Sequence, residues 1–582
     1  MRILLAHPED SPLRGPWATQ QWDLVVDLGR SSSFCAQEWQ ERLRCPILRS
    51  DSFRHGIEDL RLVRNLFAAG RGYLVDDEGI DWWDLTSLVV APEGESLIVL
   101  QRLAAEVNPA TELWTTRAGW SPKVMAMLLG AQLRVFGSDR LTRSTGRVLH
   151  YARLLQRFRA EQIKEILLDK YDSKYELRSR FASTQSTSKE PVVLLPSAYG
   201  NVSRMAAAYA RLLPEQSFLL VATRQNALQF MRPANVQIRE LAAYADVDPP
   251  KTETASILER WRVLQQELRA AREFDVLASA GVFQHFVRWF GDGLVARNAW
   301  RRVLEREPVQ GVLCGDDSNI FTRVPVLLAA RRRIPTVDFH HGALDGRYLL
   351  KDLPCDVYLA KNEMERDYLV RVCGLPEEQV VIGPPTKGEP DANQTGEPLD
   401  ETSVIFFSEP YEVAGMRPEG VYRELLPTLC RVARENGRSV IIKLHPFESL
   451  AQRRKIVREV LAPEDRELVT IMDGPLTCQL IKRAWFGITV ESTTALDCLK
   501  NGVCCFLCGW LSMSSYEYPN QYARFGVGEV LQDVRQFADI PRRLQELRNQ
   551  PTSRLNPSPA TDPAMLQRCL TSHETHSARS VS

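Results

Sequence analysis

Short apolar runs alternate with amphipathic stretches along most of the chain. In the first part, Met1–Ala6, Trp22–Leu28 and Glu112–Thr116 have the pattern of buried strands, whereas Ser96–Asn108 and Lys123–Leu129 have the pattern of helices. Such alternation is typical of α/β folds with parallel sheets, because a crossover between parallel strands is usually made by a helix. The pattern predicts an N-terminal α/β domain over residues 1–140.

The same alternation returns twice after a charged stretch. Residues 141–189 have a helical pattern and end in the Ser/Thr-rich run ASTQSTSKEP, so we predict a helical connector and linker there. The strand PVVLLPS begins a second block over residues 190–388, and SVIFFS begins a third over residues 400–549. A Pro-, Gly- and acid-rich segment separates these two blocks, and residues 550–582 are predicted to be a disordered tail.

Two successive α/β blocks joined by one linker favour a particular kind of site. Open parallel sheets bind ligands beyond the carboxyl ends of their strands. If two such sheets face each other, they enclose a cleft that a hinge can open and close. The predicted fold class is therefore α/β, with two facing Rossmann-like domains and an additional N-terminal α/β domain.

Composition and charge narrow the functional class. The 582 residues include 73 Lys and Arg against 73 Asp and Glu, and 44% of the residues are hydrophobic. These values exclude wholesale disorder and disfavour a nucleic-acid partner, which usually requires a basic face. The sequence has no recognisable signal peptide and no apolar run long enough to span a bilayer, and its cysteines lie in apolar runs such as VCCFLC. We therefore expect a cytoplasmic protein with reduced thiols.

The segment IIKLHP at 441–446 is the strongest local signal for chemistry. A buried strand runs into a loop and places Lys443 and His445 on the same face, since side chains alternate along a strand. A cation and an imidazole so placed suit hydrogen bonds to phosphate oxygens. The alternative is structural, with the lysine in an ion pair at the sheet edge and the histidine capping a loop.

A second signal, GITVESTTALD, begins at Gly487. A strand leads through Glu491 into Ser492, Thr493 and Thr494, which open a helix. Hydroxyls and backbone N–H groups at a helix N-terminus favour an anion. The alternative is an ordinary helix cap, but this motif follows the Lys443 strand by one α/β unit, which would bring both loops to the same sheet edge.

Two further strand ends carry candidate bases. The strand that ends in DFHHG offers His340 and His341, and imidazole is the usual general base near neutral pH. The strand that ends in CGDDSN offers Asp317, either as a base or as the partner of a histidine. The structural alternatives are a histidine bonded to the backbone and a carboxylate that caps the next helix.

Several common motifs are missing from the sequence. Cys498, Cys504, Cys505 and Cys508 cluster without a second CxxC or a nearby histidine, so we predict no metal site. The chain has no Walker A loop, no GxGxxG after a strand and no GxSxG elbow. These absences disfavour a Walker-type ATPase and a dinucleotide-dependent redox enzyme.

Together these motifs resemble those of a known family. Residues from about 190 to 548 resemble bacterial GT-B-type glycosyltransferases of surface-polysaccharide synthesis, such as capsule-polysaccharide transferases and CDP-glycerol glycerophosphotransferases. The resemblance rests on the motifs HHGALD, KNEMERDYL followed by VVIGPP, KLHP and ESTTALDCLKNGVCCFL. KLHP resembles the His-Pro motif of bacterial sialyl- and Kdo-transferases, and ESTTA resembles their Ser/Thr motif. The acidic-Asp-Gly motif of the sialyltransferases has only a loose counterpart in GDDS, and residues 1–185 lie outside the resemblance.

The resemblance implies a metal-independent transfer of a sugar or polyol phosphate from a CMP-, CDP- or UDP-type donor, without a further cofactor. The carboxyl-terminal half would bind the donor through Lys443, His445 and Glu491, Ser492, Thr493 and Thr494. His341 or Asp317 would deprotonate a saccharide or lipid-linked acceptor, with His340 as the alternative that the doubled histidine leaves open. Peripheral association with the inner membrane or with a polysaccharide-synthesis complex would fit such a role.

Two rival functions keep the same architecture. A UDP-sugar 2-epimerase would need more acidic residues at the cleft and would act on a UDP-sugar without an acceptor. A catalytically silent module of the same fold would bind a polysaccharide or organise a complex, and its function would survive loss of His341 and Asp317.

Overall fold

The computed structural model describes residues 1–7, 10, 15–29, 39–107, 112–117, 119–136, 190–245, 251–315, 319–340, 342, 344, 346–351, 355–385, 399–412, 416–512, 514, 516–549 and 561–571. The predicted connector at 141–189 lies outside these residues. The described chain divides into two compact units. One contains the described parts of Met1–Asp59, Glu95–Ile163 and Ala392–Leu555, and the other those of Leu60–Gly94, Lys164–Asp391 and Asn556–Ser582.

The first unit contains a five-stranded parallel sheet near the N-terminus. Its strands are β1 (Arg2–Ala6), β2 (Leu24–Asp27), β3 (Ile47–Arg49), β4 (Glu112–Thr115) and β5 (Gln132–Val135), in the order β3-β2-β1-β4-β5. The helices between β3 and β5 in the sequence are α1 (Ile57–Ala68), α2 (Trp82–Glu106) and α3 (Trp120–Leu129), of which Leu60–Gly94 belong to the other unit. The central strands are buried on both faces, as in other parallel sheets.

The second unit contains a seven-stranded parallel sheet in the order β12-β11-β10-β9-β6-β7-β8. Its strands are β6 (Val192–Ser197), β7 (Ser217–Ala222), β8 (Val236–Glu240), β9 (Val309–Cys314), β10 (Thr336–Phe339), β11 (Val357–Ala360) and β12 (Val380–Ile382). Its helices are α4 (Gly200–Leu212), α5 (Lys251–Leu268), α6 (Arg272–Ala280), α7 (Phe286–Arg306), α8 (Ile320–Arg331) and α9 (Glu363–Asp367).

The first unit also contains a six-stranded parallel sheet in the order β15-β14-β13-β16-β17-β18. Its strands are β13 (Ser403–Phe407), β14 (Ser439–Lys443), β15 (Val469–Met472), β16 (Ala484–Thr489), β17 (Cys505–Cys508) and β18 (Glu529–Leu531). Its helices are α10 (Pro418–Glu435), α11 (Leu450–Val460), α12 (Pro463–Arg466), α13 (Cys478–Lys482), α14 (Thr494–Lys500), α15 (Tyr518–Arg524) and α16 (Ile540–Asn549).

All three sheets have a doubly wound order. In each, the first strand (β1, β6 or β13) lies between the second and the fourth strand of that sheet, so the strand order reverses there. This is the order of Rossmann-like sheets, whose ligands bind at the carboxyl edge near the reversal. The predicted α/β class with Rossmann-like parallel sheets is confirmed.

The core of the six-stranded sheet explains two features of its sequence. Amphipathic α10 buries Leu425 and Leu429, which are four residues apart and so lie on one face. On β16, a Cβ at Gly487 would come within 2.9 Å of the Cys498 sulfur and of the Phe407 ring, so glycine allows close packing there. Cys498 is thereby buried, and its pKa is raised by the hydrogen bond to Cys505 and by burial.

The C-terminal segment differs from the sequence prediction. Residues Pro563–Thr571, part of the predicted disordered tail at 550–582, form helix α17. Its Leu566 and Leu570 are fully buried in the core of the seven-stranded sheet, and Gly311 on β9 leaves room for the helix backbone. The prolines and serines before the helix dominate the composition of the tail and obscure this short amphipathic pattern.

One further difference concerns a domain boundary. The sequence places residues 1–140 in one block, whereas Leu60–Gly94 pack in the unit of the seven-stranded sheet. There the buried Arg323 lies 3.2 Å from Asp84, and the buried Arg297 lies 2.8 Å from Asp76. Such pairings between distant segments leave no periodic signal in the sequence.

Candidate functional site

The carboxyl ends of three adjacent strands bring the motifs around His445 and Glu491 to one edge of the six-stranded sheet. β14, β13 and β16 are neighbours in that order and run parallel. The His445 turn follows β14 and the turn from Glu491 to Thr494 follows β16. Adjacent strands lie ~4.8 Å apart, so roughly 10 Å separates the two turns, and the end of β13 lies between them. The strand order reverses at β13, so this edge has the position of a ligand site.

Lys443, the last residue of β14, is buried. Its Nζ donates hydrogen bonds to the carbonyl oxygens of Leu444 at 2.9 Å and Gly474 at 2.7 Å. Burial lowers the pKa of Lys443, while Asp473 and Glu448 act in the opposite direction. Because Gly474 follows β15, the ammonium group ties two neighbouring loops together, a contact that the sequence did not predict.

His445 is half-buried and presents one ring nitrogen. Its Nδ1 accepts a hydrogen bond from the backbone N–H of Phe447 at 3.2 Å, so the ring proton belongs on Nε2. Burial lowers the pKa of His445, and the nearby Lys443 charge lowers it further, which keeps the ring neutral at pH 7. Within the described part of the chain, Nε2 has no hydrogen-bond partner, so this N–H could donate to a ligand.

A buried network holds the His445 turn in place. The Glu448 carboxylate accepts from the backbone N–H of His445 at 2.7 Å and from the Ser408 hydroxyl at 2.7 Å. Arg453 donates to Glu448 at 2.6 Å and makes a bidentate pair with Glu412, with both distances 2.9 Å. The guanidinium group therefore links the loops that follow β13 and β14.

The β16 turn uses part of its polar groups for its own folding. Glu491 accepts hydrogen bonds from the hydroxyls of Ser512 at 3.0 Å and Ser514 at 3.2 Å. The Ser492 hydroxyl accepts from the backbone N–H of Thr494 at 3.3 Å, which is the capping role left open as the alternative. Thr493 is exposed, and the buried Thr494 hydroxyl has no partner among the described residues.

Sequence reasoning missed Glu409, which follows β13 at the strand-order reversal. Its Oε1 accepts from the Thr489 hydroxyl at 2.7 Å and from the backbone N–H groups of Val490 and Glu491, both at 3.0 Å. Oε2 accepts no hydrogen bond from a described residue. The side chain is only 5% exposed, and burial raises its pKa to about 7. A carboxylate directly after the apolar run SVIFFS was the available signal.

His340, one of the candidate bases, belongs to the other unit. His340 follows β10 and is half-buried, whereas His341 and Asp317 lie outside the described residues. In the next loop, Lys361 donates from Nζ to the carbonyl oxygen of Gly342 at 2.5 Å. This contact joins the HHG segment to the KNEMERDYL segment. Asn319 caps α8 through a 2.9 Å hydrogen bond from the backbone N–H of Phe321.

No group of three or more His, Cys, Asp or Glu side chains within the described ranges is placed to hold a metal ion. No helix in the described chain combines the length and apolarity that crossing a bilayer requires.

Comparisons with known proteins found distant structural likenesses. No family model and no curated protein matches the sequence. The chain is similar to the S. aureus MnaA–UDP co-structure (12% identity, 65% of this chain and 94% of that chain covered, TM-score 0.40). It is also similar to the Neisseria meningitidis UDP-GlcNAc 2-epimerase bound to UDP-GlcNAc (12% identity, 66% of this chain and 99% of that chain covered, TM-score 0.40). A third likeness is to a glycosyltransferase from Rickettsia africae ESF-5 (9% identity, 67% of this chain and 96% of that chain covered, TM-score 0.38).

Proposed function

We propose that this protein is a metal-independent glycosyltransferase that moves a sugar or polyol phosphate from a nucleotide-activated donor to a saccharide hydroxyl. The main support is the convergence of three strand ends at the strand-order reversal of the six-stranded sheet. Three groups at this edge have no hydrogen-bond partner among the described residues: His445 Nε2, Glu409 Oε2 and the Thr494 hydroxyl. Such an edge of a doubly wound sheet suits the phosphates of a nucleotide.

The residues of this edge would act on the leaving nucleotide. His445 donates from Nε2 to a phosphate oxygen, and Thr494 donates from its hydroxyl, so charge that develops on the leaving group is stabilised without reorganisation of the site. Ser492 and Thr493 lie in the same turn and add polar contacts. We assign Lys443 a positioning role as well as a positive charge near the phosphates, because its ammonium group already binds two carbonyl oxygens.

A base would activate the acceptor. We propose His341 for this role, with His340 and Asp317 as the alternatives. General-base catalysis is typically worth ~10²–10⁴-fold in rate. The donor would be of the CMP, CDP or UDP type and the acceptor a saccharide or lipid-linked saccharide. We place the reaction in bacterial surface-polysaccharide synthesis, in the cytoplasm or at the cytoplasmic face of the inner membrane.

A UDP-sugar 2-epimerase is the second candidate, and one observation favours it. Glu409 and Glu491, both buried, lie at the same sheet edge, which supplies the acidic character that this reaction would need. Incubation of the protein with UDP-sugars in the absence of any acceptor separates the two functions. Formation of the 2-epimer under these conditions would favour the epimerase.

Thermal unfolding with a panel of CMP, CDP, UDP, GDP and their sugars tests the proposal. A ligand present at 100 times its Kd stabilises the folded state by about 2.7 kcal/mol, so binding raises the melting temperature. We expect one nucleotide class to stabilise the wild type and a smaller shift for His445→Ala. His285→Ala, an exposed histidine of the other unit, is the matched control and keeps the full shift. No stabilisation by any member of the panel would contradict the proposal.

Saccharide transfer can then be separated from silent binding. His341→Ala should retain the nucleotide-induced stabilisation and lose sugar transfer to acceptor saccharides. Full function of a His341→Ala/Asp317→Ala double variant in a cell-based polysaccharide assay would instead favour the silent module.

A further inference from the structure

Three buried carboxyl groups lie at the carboxyl edge of the six-stranded sheet, and they differ in what their oxygens contact. Both oxygens of Glu448 are used by the fold, one by the backbone of His445 and the other by Ser408 and Arg453. Glu491 accepts from hydroxyls that follow β17. In Glu409, all hydrogen bonds from described residues end on Oε1.

The position of Glu409 gives its second oxygen a role. The residue follows the strand at which the order reverses, between the turns that carry His445 and Thr494. Three donors hold Oε1, so the carboxyl group is fixed and Oε2 is left for a ligand. An ionised carboxylate here would repel a phosphate, whereas a protonated one would donate a hydrogen bond to it.

The surroundings of Glu409 favour the protonated form near neutral pH. Burial is the largest effect and raises its pKa to about 7, and the nearby Glu491 carboxylate acts in the same direction. The hydrogen bonds from Thr489 and from the backbone of Val490 and Glu491 act in the opposite direction. The Tyr411 hydroxyl and the Cys508 thiol also face this carboxyl, and both have pKa values raised by burial, so they remain neutral.

We propose that Glu409 binds the donor directly: protonated on Oε2, it donates a hydrogen bond to a phosphate oxygen, so that binding of the nucleotide takes up one proton from solvent. This inference rests on the proposed nucleotide site. The phosphate charge favours the neutral acid, so the pKa of Glu409 is higher in the complex than in the free protein. Affinity is therefore highest at low pH and falls as the pH rises through the free-state pKa.

Calorimetry with a pyrophosphate diester tests the proposal. UDP-glucose and CDP-glycerol are suitable probes, because their phosphates carry no proton that titrates between about pH 6 and pH 8. Titrations in two buffers of different ionisation enthalpy count the protons taken up. For the wild type we expect uptake that approaches one proton near pH 8, and an affinity that falls by up to about tenfold per pH unit above pH 7.

Glu409→Gln tests whether the carboxyl group of Glu409 causes the proton uptake and the pH dependence of binding. Its amide oxygen can accept the bonds that Oε1 accepts, and its amide nitrogen donates as the protonated acid does. This variant should bind with the affinity of the wild type at low pH, without proton uptake and without pH dependence. Glu93→Gln, which removes a carboxyl of the other unit whose pKa burial also raises, should retain wild-type uptake.

The outcomes separate the two proposals. Binding of the diester with no proton uptake by the wild type, and with equal pH profiles for wild type and Glu409→Gln, would overturn the role of Glu409 and leave the nucleotide site intact. Absence of binding of either diester by the wild type at every pH, together with no stabilisation by any nucleotide of the thermal panel, would overturn both. The measurement on the wild type alone is decisive if Glu409→Gln does not fold.

Discussion

The chain contains two strand–His–Pro turns of the same construction, and they differ in what they leave open. His7 follows β1 in the sequence HPED, and His445 follows β14 in HPFE. In each turn the histidine N–H donates to a carboxylate three residues later, at 2.8 Å in Asp10 and 2.7 Å in Glu448. The backbone N–H of that acidic residue returns to the histidine carbonyl oxygen at 2.9 Å in both turns.

The two turns differ in whether the neighbouring strand supplies a hydrogen-bond partner to the histidine Nε2. His7 Nε2 lies 3.3 Å from the hydroxyl of Thr115, the last residue of β4, and Asp10 also accepts from Thr116. In the other turn, Nε2 of His445 has no hydrogen-bond partner among the described residues. The adjacent strand β13 is followed by Glu409, whose Oε2 accepts no hydrogen bond from those residues either. Two doubly wound sheets thus carry one closed turn, after the first strand of its sheet, and one open turn, after the second strand of its sheet. We propose that an unused hydrogen-bonding atom at the strand-order reversal, rather than the His-Pro motif itself, marks the ligand site.

The largest expected effect concerns the buried ion pairs below the open turn. Arg453→Met leaves the buried Glu448 and the partly exposed Glu412 without their cation, and removal of one partner of a buried pair such as Arg453–Glu448 costs about 3–5 kcal/mol. Urea unfolding should show this loss for Arg453→Met and a change within about 0.5 kcal/mol for the exposed neighbour Arg454→Met. Arg117→Met in the closed turn should cost about 1 kcal/mol or less, because that pair with Asp10 is partly exposed. Equal losses at 453 and 454 would contradict the account of the network.

Nucleotide affinity should distinguish the two histidines. In the proposed site, His445→Ala would remove a hydrogen bond to a charged phosphate, worth about 1.5–3 kcal/mol or roughly 10–100-fold in Kd. His7→Ala should leave the affinity unchanged. Calorimetry with the nucleotide selected by the thermal panel measures both variants. An equal loss in both would show that the closed turn also binds ligand.

Phe447 provides a further comparison of the open turn around His445 with the closed turn around His7, because the closed turn has an acidic residue at the equivalent position. Its ring is 57% exposed, and its centroid lies 5.0 Å from that of His445. If the ring packs against the nucleoside, Phe447→Ala should weaken nucleotide binding by about 0.5–1.5 kcal/mol and leave inorganic pyrophosphate binding unaffected. The exposed Val287→Ala of the other unit serves as the control. Equal losses for nucleotide and pyrophosphate would argue against stacking.

The smallest effect concerns two threonines. The Thr494 hydroxyl has no described partner, so Thr494→Val should change the free energy of unfolding by less than about 0.5 kcal/mol. Thr115→Val removes the partner of His7 and should cost about 1 kcal/mol. Denaturant unfolding without ligand compares them. A larger loss for Thr494→Val would indicate that its hydroxyl serves the fold.

Much of the fold could be predicted from the sequence, because buried parallel strands are continuous apolar runs. SVIFF, SVIIK and VVLLPS all form strands, and the alternation with helices indicates the α/β class. The edge strand β8 (VQIRE) and the edge strand β18 (EVL) were not predicted, since edge strands are short and partly polar. Helix α17 was hidden by the composition of its surroundings.

The site was only partly predictable, for a different reason. His445 and the β16 turn lie at one edge because both follow parallel strands of one sheet, which their order along the chain suggests. The capture of Lys443 by the carbonyl oxygen of Gly474 depends on a loop 31 residues away. The bonds from Val490 and Glu491 that fix Glu409 depend on a loop 80 or more residues away. Such contacts belong to tertiary packing and have no local signature.

Hydrogen–deuterium exchange with and without the selected nucleotide-sugar tests the central claim most directly, because both turns are observed in one experiment. We predict that peptides covering 443–449, 407–411 and 489–496 exchange more slowly in the presence of the ligand. Peptides covering 4–7 and 112–117, from the closed turn, should not change. Protection of the closed turn alone, or of neither turn under saturating ligand, would contradict the account.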